Sequence, residues 1–445
     1  MCYTRCASWI YGVEAQAEDE MPSVYFALCL KMTKKVAFFV DNACSNIEYS
    51  EGHMMQPIRL RLTNSLVSCL GLEDRLDVLT PRKATKEDLQ HFHSCELVWF
   101  LQNSTAICNT AASEVLLALQ QQLNITAEGE CPLFARLWEA VSSFCGSSLS
   151  CADVLIAGTH RIAVNWSGGM HHAAEGRCSG FCYANDIVLC IQRLLTKFRR
   201  VLYIDLDVHH GDGVESAFAR DPRVLTWSIH QYGSGFFPGT GTFDDIGVDT
   251  GLGFTLNVPL PRRSGDHLYH TVFSLALPQL LTAFAPESIV VQCGADTIFG
   301  DFIGGLRIST QTFASCVSAV LDTGLPTVLL GGGGYNVVNT ARCWAITTAV
   351  AAGRLYQLPL VIPHADTYYE EYVRGRLPES MEEPLLHVVA PPSKGGPGVN
   401  VLPQLLRVLR TQLQRIRRQR SLFIREPELI AHAGDADDSV ALSSE

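Results

Sequence analysis

Six short runs of the chain are apolar at nearly every position: Val36–Val40, Ile162–Asn165, Val201–Asp207, Val224–His230, Ser288–Cys293 and Thr327–Leu330. A strand that is apolar throughout is covered on both faces, which is the habit of parallel sheets. Between the runs, apolar positions recur at helical spacing over Asn185–Lys197, Val214–Phe218, Asp266–Phe284, Thr310–Thr323 and Asn339–Ala352. Strand alternating with helix predicts an α/β domain with a parallel sheet flanked by helices. In such sheets functional groups gather outside the carboxyl ends of the strands. There is no internal repeat. Residues 1–34 have mixed polarity and no clear period, and read as an N-terminal extension before a domain spanning 35–425. Within that domain, Leu402–Leu422 reads as an amphipathic helix carrying Arg407, Arg410, Arg415, Arg417, Arg418 and Arg420. It is a solvated face, a nuclear address or a patch for an acidic partner. Residues 426–445 are acidic and Ser-rich, the composition of a disordered tail.

Composition narrows the picture. Of 445 residues, 47% are hydrophobic and only 18% charged, which suits a large packed core and excludes wholesale disorder. A net charge of -11 argues against direct electrostatic binding of nucleic acid. No stretch of 18 apolar residues is free of charge, so no membrane span is expected. The short run Val24–Leu30 follows Glu14, Glu18, Asp19 and Glu20 and not a basic region, and makes a poor signal peptide. Several of the 16 cysteines (Cys69, Cys190, Cys293, Cys316) sit inside apolar runs as small hydrophobes, and point to a reducing compartment. Cys178 and Cys182 are spaced CxxxC, and read as packed thiols instead of a zinc ribbon or redox pair. In a protein that is not secreted, the Asn-x-Ser/Thr triplets at Asn103, Asn124 and Asn165 carry no glycan meaning.

The chemistry concentrates after the strands. Val201-Leu-Tyr-Ile-Asp-Leu-Asp-Val-His-His-Gly-Asp-Gly213 ends an apolar run with Asp205, Asp207, His209, His210 and Asp212. Burying unpaired charge costs several kcal/mol or more, so such groups pair, bind metal, or both. In extended chain Asp205, Asp207 and His209 share a face, and Asp207 and His209 are placed to ligate one cation. Asp296, at the end of another apolar strand, is the candidate third ligand; its alternative is to cap the next helix. Three ligands leave an open position, the plan of a catalytic zinc site, although this donor set also suits Fe(II), Mn or Co. The pair His171-His172 follows a Gly-Gly turn. With Asp205 and Asp212 to orient them, the two imidazoles make an acid/base set for metal-assisted hydrolysis. Gly331-Gly-Gly-Gly-Tyr335 is not a phosphate loop, because no Lys-Ser/Thr follows. It brings backbone close to something and delivers Tyr335, either as an oxyanion donor or as a buried core phenol. Phe181 after Gly180, and Phe237 in Phe236-Phe-Pro-Gly239, are candidate walls of an apolar slot. His210 is left as structural.

These residues, together with Asn165-Trp-Ser-Gly-Gly-Met-His-His-Ala173, Ser179-Gly-Phe-Cys-Tyr-Ala-Asn-Asp186, Phe237-Pro-Gly-Thr-Gly241, Gly294-Ala-Asp-Thr297 and Gly331-Gly-Gly-Gly-Tyr-Asn336, resemble the zinc-dependent histone deacetylases, nearest to class I. The resemblance runs from about Val36 to Ala351. It implies an arginase/deacetylase-type single domain with a central eight-stranded parallel sheet. It implies Zn2+ on Asp207, His209 and Asp296, with His172 and Asp212 as general base and support. His171 with Asp205 would be electrostatic partner or proton donor, and Tyr335 would polarise the acetyl carbonyl. Gly180, Phe181 and Phe237 would flank the acetyl-lysine stem. Structural K+ sites are implied near Asp205, Asp207, His209 and Ser228, and near Phe218 and Val224.

The chain departs from the family pattern in places. Glu130 stands where a rim Asp is usual, one methylene longer. Met170 replaces a larger aromatic or Leu in the pocket beneath the metal, where Arg59 is kept, and Ile303 replaces Leu near the rim. Gln56, Phe302 and Val338 replace the cations with which class I enzymes bind inositol phosphate, so no need for that ligand is expected. The leading reading is a protein-lysine deacetylase acting on acetylated histones or other acetyl-lysine proteins, in the nucleus, with the cytoplasm as the alternative. A polyamine-type deacetylase and a non-catalytic chromatin scaffold are the competing readings.

Overall fold

The computed structural model describes residues 35–110, 113–126, 129–374, 383–391 and 401–431, and the side chains of the last segment to residue 419. Eight strands form: β1 Val36–Phe39, β2 Leu76–Leu79, β3 Ile162–Asn165, β4 Val201–Asp205, β5 Val224–Gln231, β6 Thr255–Leu260, β7 Ser288–Gln292 and β8 Thr327–Leu330. They make one sheet in the order β2-β1-β3-β8-β7-β4-β5-β6, and every neighbouring pair is parallel. The expected α/β architecture is therefore found, with eight strands. The hydrophobic pattern marks six of them; the two it misses, β2 and β6, are the sheet's edges. An edge strand need not be apolar throughout. β2 carries Asp77 and an exposed Val78, and β6 carries Asn257 and Pro259, a residue that ladders tolerate at edges.

Successive residues of the central strands feed two cores on opposite faces. Leu202, Ile204, Trp227, Val291 and Leu329 join one, with Trp344; Val201, Tyr203, Val290, Val328 and Leu330 join the other, with Leu155, Ile187 and Ile191 from flanking helices. This is the period-two alternation of an extended chain with helices on both sides. A third core lies beyond the carboxyl ends of the strands and contains Tyr49, Phe144, Met170, Tyr183 and Tyr335.

Two boundaries matter for the chemistry. β4 stops at Asp205 and β7 at Gln292, so Asp207, His209 and Asp296 sit on the turns beyond the strands. The expectation that Asp205, Asp207 and His209 share one face of a strand fails for that reason. Two of the helices that follow the site loops have side-chain caps: Asp186–Leu194 is capped by Asn185, and Val337–Ala351 by Asn336. Both are close to the spans expected from periodicity. The Arg-rich helix is longer than expected, Val401–Ala431, and runs past Arg425 into the stretch expected as tail. It buries Val401, Leu405, Leu409, Leu413 and Ile416 and leaves Arg407, Arg410 and Arg417 exposed. The N-terminal extension and residues 432–445 lie outside the described residues. Among the described residues no helix is long and apolar enough to cross a membrane, and the described cysteines, Cys178 and Cys182 included, are free thiols.

Candidate active site and metal centre

The loops after β3, β4, β7 and β8, the four central strands, converge on one chamber. The loop after β3 brings His171 and His172, that after β4 brings Asp207, His209 and Asp212, that after β7 brings Asp296, and that after β8 brings Tyr335.

Asp207, His209 and Asp296 are buried, and each offers one ligand atom within 4.8 Å of the others. His209 Nδ1 lies 3.0 Å from Asp207 Oδ1 and 3.2 Å from Asp296 Oδ2. The outer oxygens are held from behind. Asp207 Oδ2 accepts from Gln292 Nε2 at 2.7 Å and from the Gly333 amide at 2.8 Å. Asp296 Oδ1 accepts from the Val208 amide at 2.9 Å. Asp296 Oδ2 is buried with no hydrogen bond. Leaving such an oxygen unpaired is costly unless something else satisfies it. Burial opposes ionisation of Asp207, yet His171 and His209 hold its carboxyl well below the usual range. The same burial, with Asp207 alongside, raises Asp296 to about 8. Two carboxylates so close cannot both ionise without a cation between them. The donor set therefore fits a divalent metal: one imidazole, two carboxylates, one oxygen in want of a partner. The glycine loop matters here. A Cβ at Gly333 would collide with Asp296 Oδ2, so only glycine lets this backbone reach the ligands.

The two histidines form the expected dyads. His171 Nδ1 pairs with Asp205 Oδ2 at 2.8 Å, and His172 Nδ1 with Asp212 Oδ1 at 2.7 Å. Asp205 is fixed in turn by the Tyr203 hydroxyl at 2.6 Å. The dyads differ in charge. Burial works against protonation of His171, but Asp205 and Asp207 overcome it and raise its pKa to about 9. Burial lowers His172 to about 4, reinforced by the adjacent His171. Their surroundings thus push the two imidazoles in opposite directions, His171 toward the protonated form and His172 toward the neutral one.

Phe237 stands edge-on to His172, ring centroids 4.9 Å apart, and Phe181 faces Tyr335 at 5.7 Å. Each of the two rings therefore packs against a candidate site residue. Gly180 between them has a φ of +51°, and a side chain there would strike the His172 ring. Tyr335 is buried, and burial raises its pKa well above 10, so the phenol keeps its proton. Met170 is buried, and helps line a cavity of about 20 Å3 with Tyr49, Met55 and Arg59. Arg59 donates to the Gly334 carbonyl at 2.9 Å and stacks over Trp344. Ile303 packs against the third core, and Glu130 is half-buried. Ser228 is in register with Asp205 across β4 and β5. Phe218 and Val224 are linked through Asp221, which donates to the Phe218 carbonyl and accepts from the Val224 amide. His210 is engaged by Glu215 and Thr240, each at 2.8 Å, as a structural residue would be.

Sequence reasoning missed four supporting residues. Asp186, wholly buried, accepts from the Gly169 and Met170 amides and from Ser148, and so shapes the turn before the histidines. Asp301 accepts four amides, those of Ile303, Gly304, Tyr335 and Asn336. Gln292 braces Asp207, and Phe236 stacks flat on His209 at 5.2 Å. An acid in an otherwise apolar, glycine-rich loop was the available signal for Asp301.

Comparison with known proteins agrees with this geometry. Residues 53–351 match the profile of the Histone deacetylase domain. Histone deacetylase 3 of Oryza sativa subsp. japonica is 41% identical over 341 residues, 76% of this chain and 65% of the rice protein. Histone deacetylase 1 of Homo sapiens is 39% identical over 339 residues, covering 76% of this chain and 68% of the human protein. Histone deacetylase clr6 of Schizosaccharomyces pombe is 39% identical over 353 residues, covering 78% and 85%. The chain spans about two thirds of the length of the first of these relatives. The matched span contains all three candidate metal ligands, both His–Asp dyads and Tyr335, and the chain belongs to the histone deacetylase family.

Proposed function

We propose that this protein is a zinc-dependent lysine deacetylase that hydrolyses Nε-acetyl-lysine in proteins, with acetylated histones as the substrate class and the nucleus as its place of action. The reading is carried by one observation: a buried Asp296 oxygen that makes no hydrogen bond, within a three-ligand cluster flanked by two His–Asp dyads. An amide is a poor electrophile and a poor leaving group. A divalent cation held by Asp207, His209 and Asp296 supplies the Lewis acidity such a carbonyl needs. His172, oriented by Asp212, takes the proton of the attacking water. Tyr335 donates its hydroxyl to the carbonyl oxygen as charge develops there; removing one such donor typically costs 10²–10³ in rate. His171, charged and held by Asp205, stabilises the negative charge and is the proton source for the departing amine. The Phe181–Phe237 mouth suits the uncharged acetyl-lysine stem, and disfavours the charged lysine that leaves. K+ near Asp205 and Ser228 is a further element of this reading.

The protein works without an inositol phosphate. The cavity of about 370 Å3 beside Gln56 sets one arginine, Arg61, against one carboxylate, Glu48. Phe302 is 70% exposed and Val338 is buried; neither offers charge.

The test is release of acetate from an acetylated histone peptide and from an acetylated polyamine by the metal-loaded protein, with and without a hydroxamate. Peptide turnover that stops with hydroxamate or chelator and returns with Zn2+ is expected. Preference for the polyamine, or no turnover of either by protein of verified metal content, would sink the reading.

A further inference from the structure

Resting on the deacetylase reading, we propose that Asn124 is a positioning residue for the rim carboxylate of Glu130 and so sets the affinity for peptide backbone. Glu130 is a methylene longer than the usual rim residue, and its carboxylate would otherwise swing. The structure ties it at both ends. Asn124 Nδ2 donates to Glu130 Oε1 at 2.8 Å, and to the Cys178 carbonyl at 3.0 Å. At the other end, His53 Nδ1 accepts from the Met55 amide at 3.0 Å, which leaves Nε2 as the protonated nitrogen, 3.2 Å from the Glu130 carbonyl. The same His53 ring stacks on Tyr49 at 5.0 Å and meets Phe181 edge-on at 4.9 Å.

These bonds join three segments that share no secondary structure. Asn124 ends the helix Glu114–Leu123 in a left-handed conformation, φ 59° and ψ 39°. That geometry turns its side chain back toward residues 129–131 and across to the Cys178–Cys182 turn, which carries Gly180 and Phe181. Asparagine tolerates this backbone better than other side chains, and also supplies the amide. With Oε1 taken, Glu130 Oε2 has no hydrogen-bond partner among the described residues, and the Glu130 backbone is linked through His53 to Phe181. A fixed carboxylate oxygen at that place accepts a backbone N–H of an extended peptide whose acetyl-lysine enters the slot. Asn124 does not touch substrate; it spares the peptide the cost of ordering Glu130. Ordered in this way, the longer side chain fills the role of the shorter one.

The experiment is a double-mutant cycle on metal-loaded protein with Asn124→Gly, Glu130→Ala and the pair. Glycine keeps the left-handed backbone and removes only the amide. Two acetyl-lysine peptides are compared, one ordinary and one N-methylated at the backbone amides flanking the acetyl-lysine. For the ordinary peptide, Asn124→Gly is expected to raise KM roughly three- to tenfold with kcat within about twofold. The double variant should be no worse than Glu130→Ala, and the N-methylated peptide should be insensitive to all three changes. An unchanged KM in Asn124→Gly, beside a raised KM in Glu130→Ala, overturns the positioning role. So does an equal loss on both peptides accompanied by a fall in melting temperature, since that marks a merely structural residue. Absence of turnover by the unsubstituted protein overturns the deacetylase reading itself, and is distinct from either result.

Discussion

Asp301→Asn should damage fold and reaction together. The Asp301 carboxylate accepts from the Ile303 and Gly304 amides at 2.9 and 3.0 Å through Oδ1, and from the Tyr335 and Asn336 amides at 2.8 and 3.1 Å through Oδ2. One side chain thereby latches the rim loop to the loop that presents the phenol. Asparagine retains a single acceptor oxygen, and turns its NH2 group toward two N–H donors. Each hydrogen bond to a charged group contributes about 1.5–3 kcal/mol, so losing two costs roughly 3–6 kcal/mol. Against a total of about 5–15 kcal/mol this is a large fraction, and in a domain of this size lowers Tm by roughly 5 °C. Freeing the Tyr335 backbone adds a kinetic penalty, because a shift of about 1 Å in a catalytic group costs on the order of 100-fold. The measurements are Tm, zinc content and kcat/KM for acetyl-lysine peptide on one preparation. Zinc content should hold, because Asp301 touches no metal ligand. If kcat/KM stays within about threefold and Tm within about 1 °C, the latch does not exist.

Three further outcomes are expected. Tyr335→Phe should lower kcat/KM by about 10²–10³ while metal content and Tm are unchanged; unaltered hydrolysis contradicts the oxyanion role. His93 is buried, its Nε2 accepting from the Asn185 amide at 2.8 Å and its Nδ1 facing the Glu175 carbonyl at 3.1 Å, and burial lowers it to about 4. The unfolded chain takes up that proton near pH 6.5, so stability falls as pH drops from about 6.5 to 4 and no further from this group. His93→Gln should flatten that limb by about 3 kcal/mol in denaturant unfolding, and superimposable limbs would rule the linkage out. Added inositol phosphate should leave peptide turnover unchanged at physiological salt; activation would show that a site exists without the usual cations.

The groups proposed to do chemistry stood out in the sequence because nothing structural accounts for them. Asp207, His209 and Asp296 each follow an apolar strand, and His171-His172 follows a glycine turn, so all five stand out from their surroundings. Their supports do not. Asp186 and Asp301 bind backbone amides, and in the chain they look like ordinary helix caps or turn residues. The buried helix Leu137–Ile156 was equally hard to read, because Ser142, Ser143, Ser147, Ser148 and Ser150 are buried alongside its apolar residues, and no polar stripe marks an outer face. Asp205 shows where local geometry misleads. Strand alternation groups it with Asp207 and His209, yet β4 ends at that residue and its carboxylate turns to His171 and Tyr203.

The strand order also has a consequence for biogenesis. β7 is hydrogen-bonded between β8 and β4, and Asp296 meets the Asp207–His209 turn across 88 residues of chain. A nascent chain that has delivered Asp207 and His209 holds half a site, with carboxylate and imidazole but no third ligand. The long loop must close and β7 must dock before cation affinity appears, and non-local closures of this kind are the slow ones. If Asp207, His209 and Asp296 hold a cation as proposed, its uptake should be a late event of synthesis that reports assembly of the middle of the sheet. A polypeptide stalled before Ser288 should be unable to retain the ion, however much of the His–Asp machinery it already carries.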